Sequence, residues 1–219
     1  MKTSLKTLAS IIIMSMLILN TSCKKDKNEP DPEPAPPTPD PQEVITTFKL
    51  ILTDSASNGV ISHLFKDPDG EGGQPAYYGP SSSSQTDSVI TLAANKTYYG
   101  EIILLDETKT PVDSTSNEVE EEGQEHMFFY NNGNNTIINS GNPYTVQLKG
   151  SNVKVTYIDL DQGSPQRGIG LKTKWRTNTA TGGTKHLLNI TLRHQADTKD
   201  GTYAPGESDI SVDFKLKVN

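Results

Sequence analysis

The chain has 219 residues, a net charge of −7 with histidines taken as neutral, and only 32% hydrophobic residues. The acidic balance, with no basic stripe along the sequence, argues against a nucleic-acid partner. A single cysteine, Cys23, excludes a disulfide within the chain and a cysteine metal site. The composition is typical of an extracellular β-protein with polar loops.

Residues 1–22 have the pattern of a secretory signal peptide. Lys2 and Lys6 precede an apolar run of about a dozen residues, shorter than the roughly 20 that a membrane-spanning helix needs. Small residues stand directly before Cys23, as in the sites of lipoprotein signal peptidases, although Asn20 occupies a position where an aliphatic residue is usual. We predict that Cys23 is a lipid anchor and that the protein is an outer-membrane lipoprotein of the cell envelope, periplasmic or surface-exposed.

Residues 23–43 form a linker after the predicted anchor. Seven prolines fall within 24–43, and no aliphatic side chain there is longer than that of Ala35. Such a segment cannot bury a core and favours extended polyproline II conformations. We predict a disordered, proline-rich tether that holds a folded domain away from the membrane.

Residues 44–219 show the alternation of β-strands throughout. An Asn58-Gly59 pair between the first two strands indicates a hairpin, and the acidic stretch 114–125 lacks an apolar stripe and is predicted as a loop or a short turn. The last strand has apolar residues from Ile210 to Val218 on one face and polar residues on the other. About nine strands are predicted: TTFKLILTD, VISHLFKD, SVITLAA, TYYGEIILLD, HMFFY, YTVQLKG, VKVTYIDLD, KHLLNITLRHQ and SDISVDFKLKV.

This series of short strands predicts an all-β domain. With frequent turns and no βαβ alternation, the pattern favours an antiparallel β-sandwich that is Ig-like in the broad sense. The chain contains no G-x-S-x-G, P-loop or H-E-x-x-H motif and no nucleophilic cysteine in the predicted domain. We therefore predict that the protein is not an enzyme.

Two histidines stand at the ends of apolar stripes. His126 shares a strand face with Phe128 and Tyr130, and His194 continues the apolar face of the KHLLNITLRHQ strand. Imidazole is a good ligand for Zn²⁺ or Cu²⁺, and Glu125 is next in sequence to His126. These three residues, His126, His194 and Glu125, form the predicted transition-metal site. The alternative is that each imidazole caps the core and bonds a backbone group.

The segment DPDGEGG is a partial match to a calcium loop. It offers Asp67, Asp69 and Glu71 at alternate positions, where carboxylates can converge on Ca²⁺. Tyr78 stands where the bidentate glutamate of such a loop belongs. The alternative is an acidic turn between two strands. No cofactor is predicted to be required, and Ca²⁺ is a weaker expectation than Zn²⁺ or Cu²⁺.

Several ordered blocks resemble a family of small Bacteroidota lipoproteins labelled type 1 periplasmic binding fold superfamily proteins. The blocks are FKDPDGEGG, LAANKTYYGEIILLDET, VEEEGQEHMFFY, VTYIDLD, LNITLRHQ and GESDISVDFKLKV. The label names a two-lobed α/β fold, whereas the length and strand pattern of this chain predict a β fold. The resemblance implies an accessory role beside a TonB-dependent outer-membrane receptor, and it directs attention to Glu125, His126, Arg193 and His194.

Together these observations predict a lipid-anchored binding module of the cell envelope, accessory to an uptake receptor and metal-binding. The predicted partners are the membrane, through the lipid anchor, and an outer-membrane receptor, with no nucleic acid. The alternative is a structural or interaction lipoprotein that contacts an outer-membrane receptor without binding a small ligand.

Overall fold

A computed structural model describes residues 43–70, 73–80, 88–133, 135–139 (backbone only), 141 and 143–219. The predicted signal peptide, the Cys23 anchor and all of the predicted tether except Glu43 lie outside the described residues, as does Glu71 of the predicted calcium loop. Among the described residues, no helix combines the length and apolar character needed to cross a bilayer.

The described residues form twelve strands and one short helix. All nine predicted strands are present, and the three that the alternation did not predict are β3, β7 and β10. In chain order the elements are β1 (Thr47–Asp54), β2 (Val60–Lys66), β3 (Tyr77–Tyr78), β4 (Val89–Leu92), β5 (Thr97–Leu105), α1 (Thr115–Glu121), β6 (His126–Asn131), β7 (Asn135–Asn139), β8 (Thr145–Leu148), β9 (Val153–Tyr157), β10 (Lys172–Thr177), β11 (His186–His194) and β12 (Glu207–Val218).

The strands form two sheets. The eight-stranded sheet has the order β3-β2-β1-β5-β10-β9-β8-β7, and the four-stranded sheet has the order β4-β12-β11-β6. The prediction of an all-β sandwich is confirmed. One pairing departs from the antiparallel expectation, because β4 runs parallel to β12, with Ile90 opposite Leu216.

Aromatic side chains join the two sheets. Phe48 of β1 lies 6.3 Å from Phe128 of β6 and 6.1 Å from Phe214 of β12, measured between ring centroids. Since β1 belongs to the large sheet and β6 and β12 to the small one, these contacts cross the interior of the sandwich. All three rings are fully buried.

The prediction of a loop or short turn over 114–125 is wrong, because residues Thr115–Glu121 form α1. Thr115 and Val119 are its buried residues, which is too few to give an apolar stripe in the sequence. The Ser116 hydroxyl accepts a hydrogen bond of 2.6 Å from the Leu104 N–H of β5. The helix ends at Glu121, and the N–H of the next residue, Glu122, donates to the Glu118 carbonyl. The carboxylate of Glu122 therefore lies 3.9 Å from Nδ1 of His126, the first residue of β6.

Candidate cation-binding site

A cavity of about 470 Å³ opens at one end of the sandwich, where the start of β1, the end of β2 and the start of β12 meet. Carboxylates and apolar side chains share its wall. Its carboxylate lining residues are Glu43, Asp67, Asp69 and Asp209, and its apolar lining residues include Val44 and Ile210.

A β-bulge in β12 directs Asp209 toward this cavity. Leu192 of β11 pairs with Ile210, but the next residue, Arg193, pairs with Ser208, so Asp209 is the extra residue of the bulge. Bulges commonly re-aim a side chain next to a functional site. Simple alternation places Asp209 on the polar outer face of β12, yet its side chain is only 1% exposed.

Arg193 and Gly206 organise the loop that leads into the bulge. The Arg193 guanidinium donates to the Ser208 hydroxyl at 2.8 Å, to the Pro205 carbonyl at 3.0 Å and to the Gly206 carbonyl. A Cβ atom on Gly206, whose φ is +75°, would meet the His194 carbonyl oxygen at 1.8 Å, so only glycine fits there. Arg193 is therefore a positioning residue and does not line the cavity.

His126 lies between two carboxylates and is fully buried. Its Nδ1 is 3.3 Å from the Glu122 carbonyl oxygen and 3.9 Å from the Glu122 carboxylate, and its Nε2 is 3.8 Å from Oδ2 of Asp209. If Nδ1–H donates to the Glu122 carbonyl, the Nε2 lone pair faces Asp209. A lone pair and an ionised carboxylate repel each other unless a proton or a metal ion lies between them.

The structure brings the three residues of the predicted transition-metal site together. The rings of His126 and His194 stack with centroids 4.6 Å apart and planes 19° from parallel, and His194 Nε2 is 3.4 Å from the Glu125 carboxylate. Imidazole nitrogens bind a metal in the plane of the ring. The lone pairs of two nearly parallel rings run side by side, so both rings cannot meet one ion without a rotation.

A second set of ligands lies close together. One ligand atom each from Glu43, Glu122 and His126 lies within 4.8 Å of the other two. Atoms that bind one ion at about 2.0–2.2 Å are at most about 4.4 Å apart, so a slight side-chain movement is enough for these three to meet one ion. Asp209 faces the same imidazole from the other side. The set thus combines an imidazole nitrogen with carboxylate oxygens.

The carboxylates of this set are crowded. Burial raises the pKa of Glu43 to about 7, and the hydrogen bond to Glu118 and the negative charges of Glu118, Glu122 and Asp209 add to that increase. Burial also raises the pKa of Asp209 to about 6, against the opposing influence of His194. Ionising both groups at neutral pH brings unbalanced negative charge into the cavity, and a bound cation would offset it.

Two residues of the predicted calcium loop lie on the same cavity. Within the described residues, Oδ1 of Asp67 and Oδ1 of Asp69 are buried without a hydrogen-bond donor, while Oδ2 of Asp69 accepts from the Gln74 N–H at 3.1 Å. Burial, followed by the charge of Asp69, raises the pKa of Asp67. Tyr78 packs against Phe65 and donates its hydroxyl proton to a backbone carbonyl, so it is no ligand here.

Comparison with known proteins adds no family to these observations. No family model, curated protein or solved structure matches the chain. Glu43, Glu122 and Asp209 are the site residues absent from the predicted metal site. Glu43 falls at the end of the predicted tether, Glu122 lies in the acidic stretch predicted as a loop or short turn, and nothing in the SDISVDF alternation indicates a bulge at Asp209.

Proposed function

We propose that this protein is a lipid-anchored binding module of the cell envelope that captures a divalent transition-metal ion, Zn²⁺ or Cu²⁺. The ligands are Glu43, Glu122 and His126, and Asp209 lies at Nε2 of the imidazole, where a carboxylate can orient the ring. The observation that carries the proposal is the convergence of these ligand atoms within 4.8 Å next to the buried side chain of Asp209.

The chemistry of the set supports a borderline transition metal. Mixed imidazole and carboxylate ligands suit Zn²⁺ and Cu²⁺, whereas Ca²⁺ prefers a shell of oxygen atoms alone. The alternative role for His126, a histidine that caps the core, accounts for the contact between Nδ1 and the Glu122 carbonyl. It gives no role to the Glu43 carboxylate, which converges on the same imidazole.

The location of the module rests on its sequence. Acylation at Cys23 and the proline-rich tether would hold the domain at the outer membrane, and the resemblance to the Bacteroidota lipoproteins supports a role beside a TonB-dependent receptor. A Cys23→Ala variant is expected to leave the membrane fraction after cell lysis. Fractionation with membranes at the level of the unaltered protein would contradict the anchor.

Titration calorimetry tests the metal site. The Cys23→Ala chain is titrated with Zn²⁺, Cu²⁺ and Ca²⁺, alone and with Glu43→Gln added. We expect one transition-metal binding event that Glu43→Gln weakens at least tenfold and that the matched control Glu101→Gln, an exposed glutamate on β5, leaves unchanged. No heat and no thermal shift with either transition metal would contradict the proposal and favour an interaction lipoprotein without a small ligand.

The calcium arm of this titration separates the two predicted metals. Asp67→Asn removes a carboxylate from the cavity wall but leaves the proposed ligands Glu43, Glu122 and His126 in place. If Ca²⁺ binds to the Cys23→Ala chain and Asp67→Asn abolishes that binding while Zn²⁺ affinity persists, the acidic loop forms a separate calcium site. If Ca²⁺ alone binds, the transition-metal proposal is wrong.

A further inference from the structure

The outer face of the eight-stranded sheet is basic, although the chain as a whole is acidic. Lys154 of β9 lies directly opposite Arg176 of β10, and Arg176 lies opposite Thr97 of β5. Lys174, two residues before Arg176, points to the same face because strand side chains alternate. Strand pairing thus gathers cations that are distant in the sequence, so no basic stripe is visible there.

These cations are not neutralised within the described part of the chain. Lys154, Lys174 and Arg176 take part in none of the ion pairs found there. Like charges directly opposite each other in a sheet are destabilising. The pairing of Arg176 with Lys154 is therefore mildly unfavourable, and an anion bound between the two side chains would relieve the repulsion.

A concave surface lies over this pair. It encloses about 530 Å³, and its lining combines three cations with neutral polar side chains: Lys96, Lys154, Arg176, Thr97, Gln147 and Asn178. Lys96 is partly balanced by Asp54, at 3.1 Å. Directly opposite side chains have Cβ atoms about 5 Å apart, so Lys154 and Arg176 can both reach one tetrahedral group.

We propose that this surface binds an oxyanion, a phosphate or sulfate group carried on a glycan. Guanidinium and ammonium groups bind such oxygens through charge-assisted hydrogen bonds, and arginine can do so with two parallel bonds. Tyr99, 48% exposed and opposite Lys174, offers a flat ring beside the charged group against which a sugar can pack. The proposal is independent of the metal site, since the two share no residue.

The test uses the Cys23→Ala chain in buffer with a chelator, so that a metal cannot contribute. Three probes distinguish the sources of the oxyanion: inorganic phosphate, a sulfated oligosaccharide, and phosphatidylcholine vesicles that contain phosphatidylglycerol. The variants are Lys154→Gln, Arg176→Gln and Tyr99→Ser. Lys215→Gln, which removes an exposed charge from β12 of the other sheet, is the matched control.

We expect the sulfated oligosaccharide to bind, with affinity that falls as salt rises. Lys154→Gln and Arg176→Gln should each weaken oligosaccharide binding about tenfold. Tyr99→Ser should weaken binding of the oligosaccharide but not of inorganic phosphate. Lys215→Gln should leave the binding of both probes unchanged. Thermal unfolding of Lys154→Gln should be unchanged or improved, because a repulsion is removed, which excludes misfolding as the cause.

Three outcomes would overturn the proposal. The first is that none of the probes binds. The second is that Arg176→Gln and Lys215→Gln weaken binding equally, which would indicate general charge attraction. The third is binding to the vesicles but not to the oligosaccharide, which would make the ligand a lipid headgroup rather than a glycan.

Discussion

His126 and His194 stack on each other, with ring centroids 4.6 Å apart and planes only 19° from parallel. His126 is fully buried and stands between the carboxylates of Glu122 and Asp209. His194 instead faces Glu125. The stack therefore assigns different roles to two histidines that the sequence treats alike: His126 meets the converging carboxylates, and His194 supports its ring.

This difference predicts one nitrogen in the metal shell. Electron paramagnetic resonance of the Cu²⁺-loaded protein should show coupling to a single imidazole. His126→Gln should abolish that coupling, whereas His194→Gln should lower affinity less than about tenfold, since it removes only a supporting contact. His186→Gln, at the opposite end of β11, serves as the control. Coupling to two imidazoles would show that the rings rotate to share the ion.

The raised pKa values of Glu43 and Asp209 predict an unusual dependence of stability on pH. In the fold the pKa of Glu43 is about 7 instead of 4.5, and the pKa of Asp209 is about 6 instead of 3.8. The folded state therefore retains protons that the unfolded chain releases. The free energy of unfolding of the metal-free protein should fall as pH rises from about 4.5 to about 7.

For Asp209 alone, a shift of about two pKa units corresponds to about 2–3 kcal/mol. Urea unfolding at several pH values with a chelator present measures this effect. Glu43→Gln should reduce the slope of the unfolding free energy against pH. Saturating Zn²⁺ should also flatten it, because the ion favours the ionised carboxylates. Stability that rises with pH over the same interval would contradict this prediction.

Asp209→Asn should have opposite effects on stability and on metal binding. The amide has the same shape but no charge to bury, so the metal-free protein should gain about 1–3 kcal/mol at pH 7.5. Loss of the carboxylate that orients the His126 ring should weaken Zn²⁺ binding about tenfold. Asp197→Asn makes the same change at an exposed turn and should alter neither quantity. A loss of stability in Asp209→Asn would mean that Asp209 has a structural role instead.

A buried ion pair beside the chain segment that follows Glu122 predicts a large effect on stability. Lys199 Nζ lies 2.8 Å from Asp161 Oδ2 and 2.6 Å from the Gly123 carbonyl, and both charged side chains are 3% exposed. Lys199→Met would leave the Asp161 carboxylate buried without its cation, which typically costs about 3–5 kcal/mol. Urea unfolding should show this loss, while Lys185→Met at an exposed turn should be nearly neutral.

Most of the fold could be predicted from the sequence, because nine strands have clear apolar alternation. β10 could not: its buried face is Thr173, Trp175 and Thr177, and the intervening residues are all basic, so the segment looks polar throughout. β3 has only two residues and β7 is rich in asparagine. The parallel pairing of β4 with β12 joins segments more than a hundred residues apart, which local patterns do not report.

The candidate site was only partly predictable. The ends of apolar stripes indicate His126 and His194, and Glu125 is next in sequence to His126. The structure brings the three together, but of these only His126 belongs to the converging ligand set. Asp209 could not be predicted, since a one-residue bulge reverses the direction that alternation assigns to its side chain. Glu43 belongs to a segment whose composition indicates a tether, and only the folded chain places it beside Glu122.

The central claim is that one divalent transition metal binds to Glu43, Glu122 and His126, with Asp209 at the other ring nitrogen. The most direct measurement is an anomalous difference map at the zinc edge from crystals of the Cys23→Ala chain grown with Zn²⁺. We predict a peak about 2.0–2.2 Å from a ring nitrogen of His126 and from carboxylate oxygens of Glu43 and Glu122. A map with no peak there, or with zinc only at His186 or at surface carboxylates, would contradict the claim.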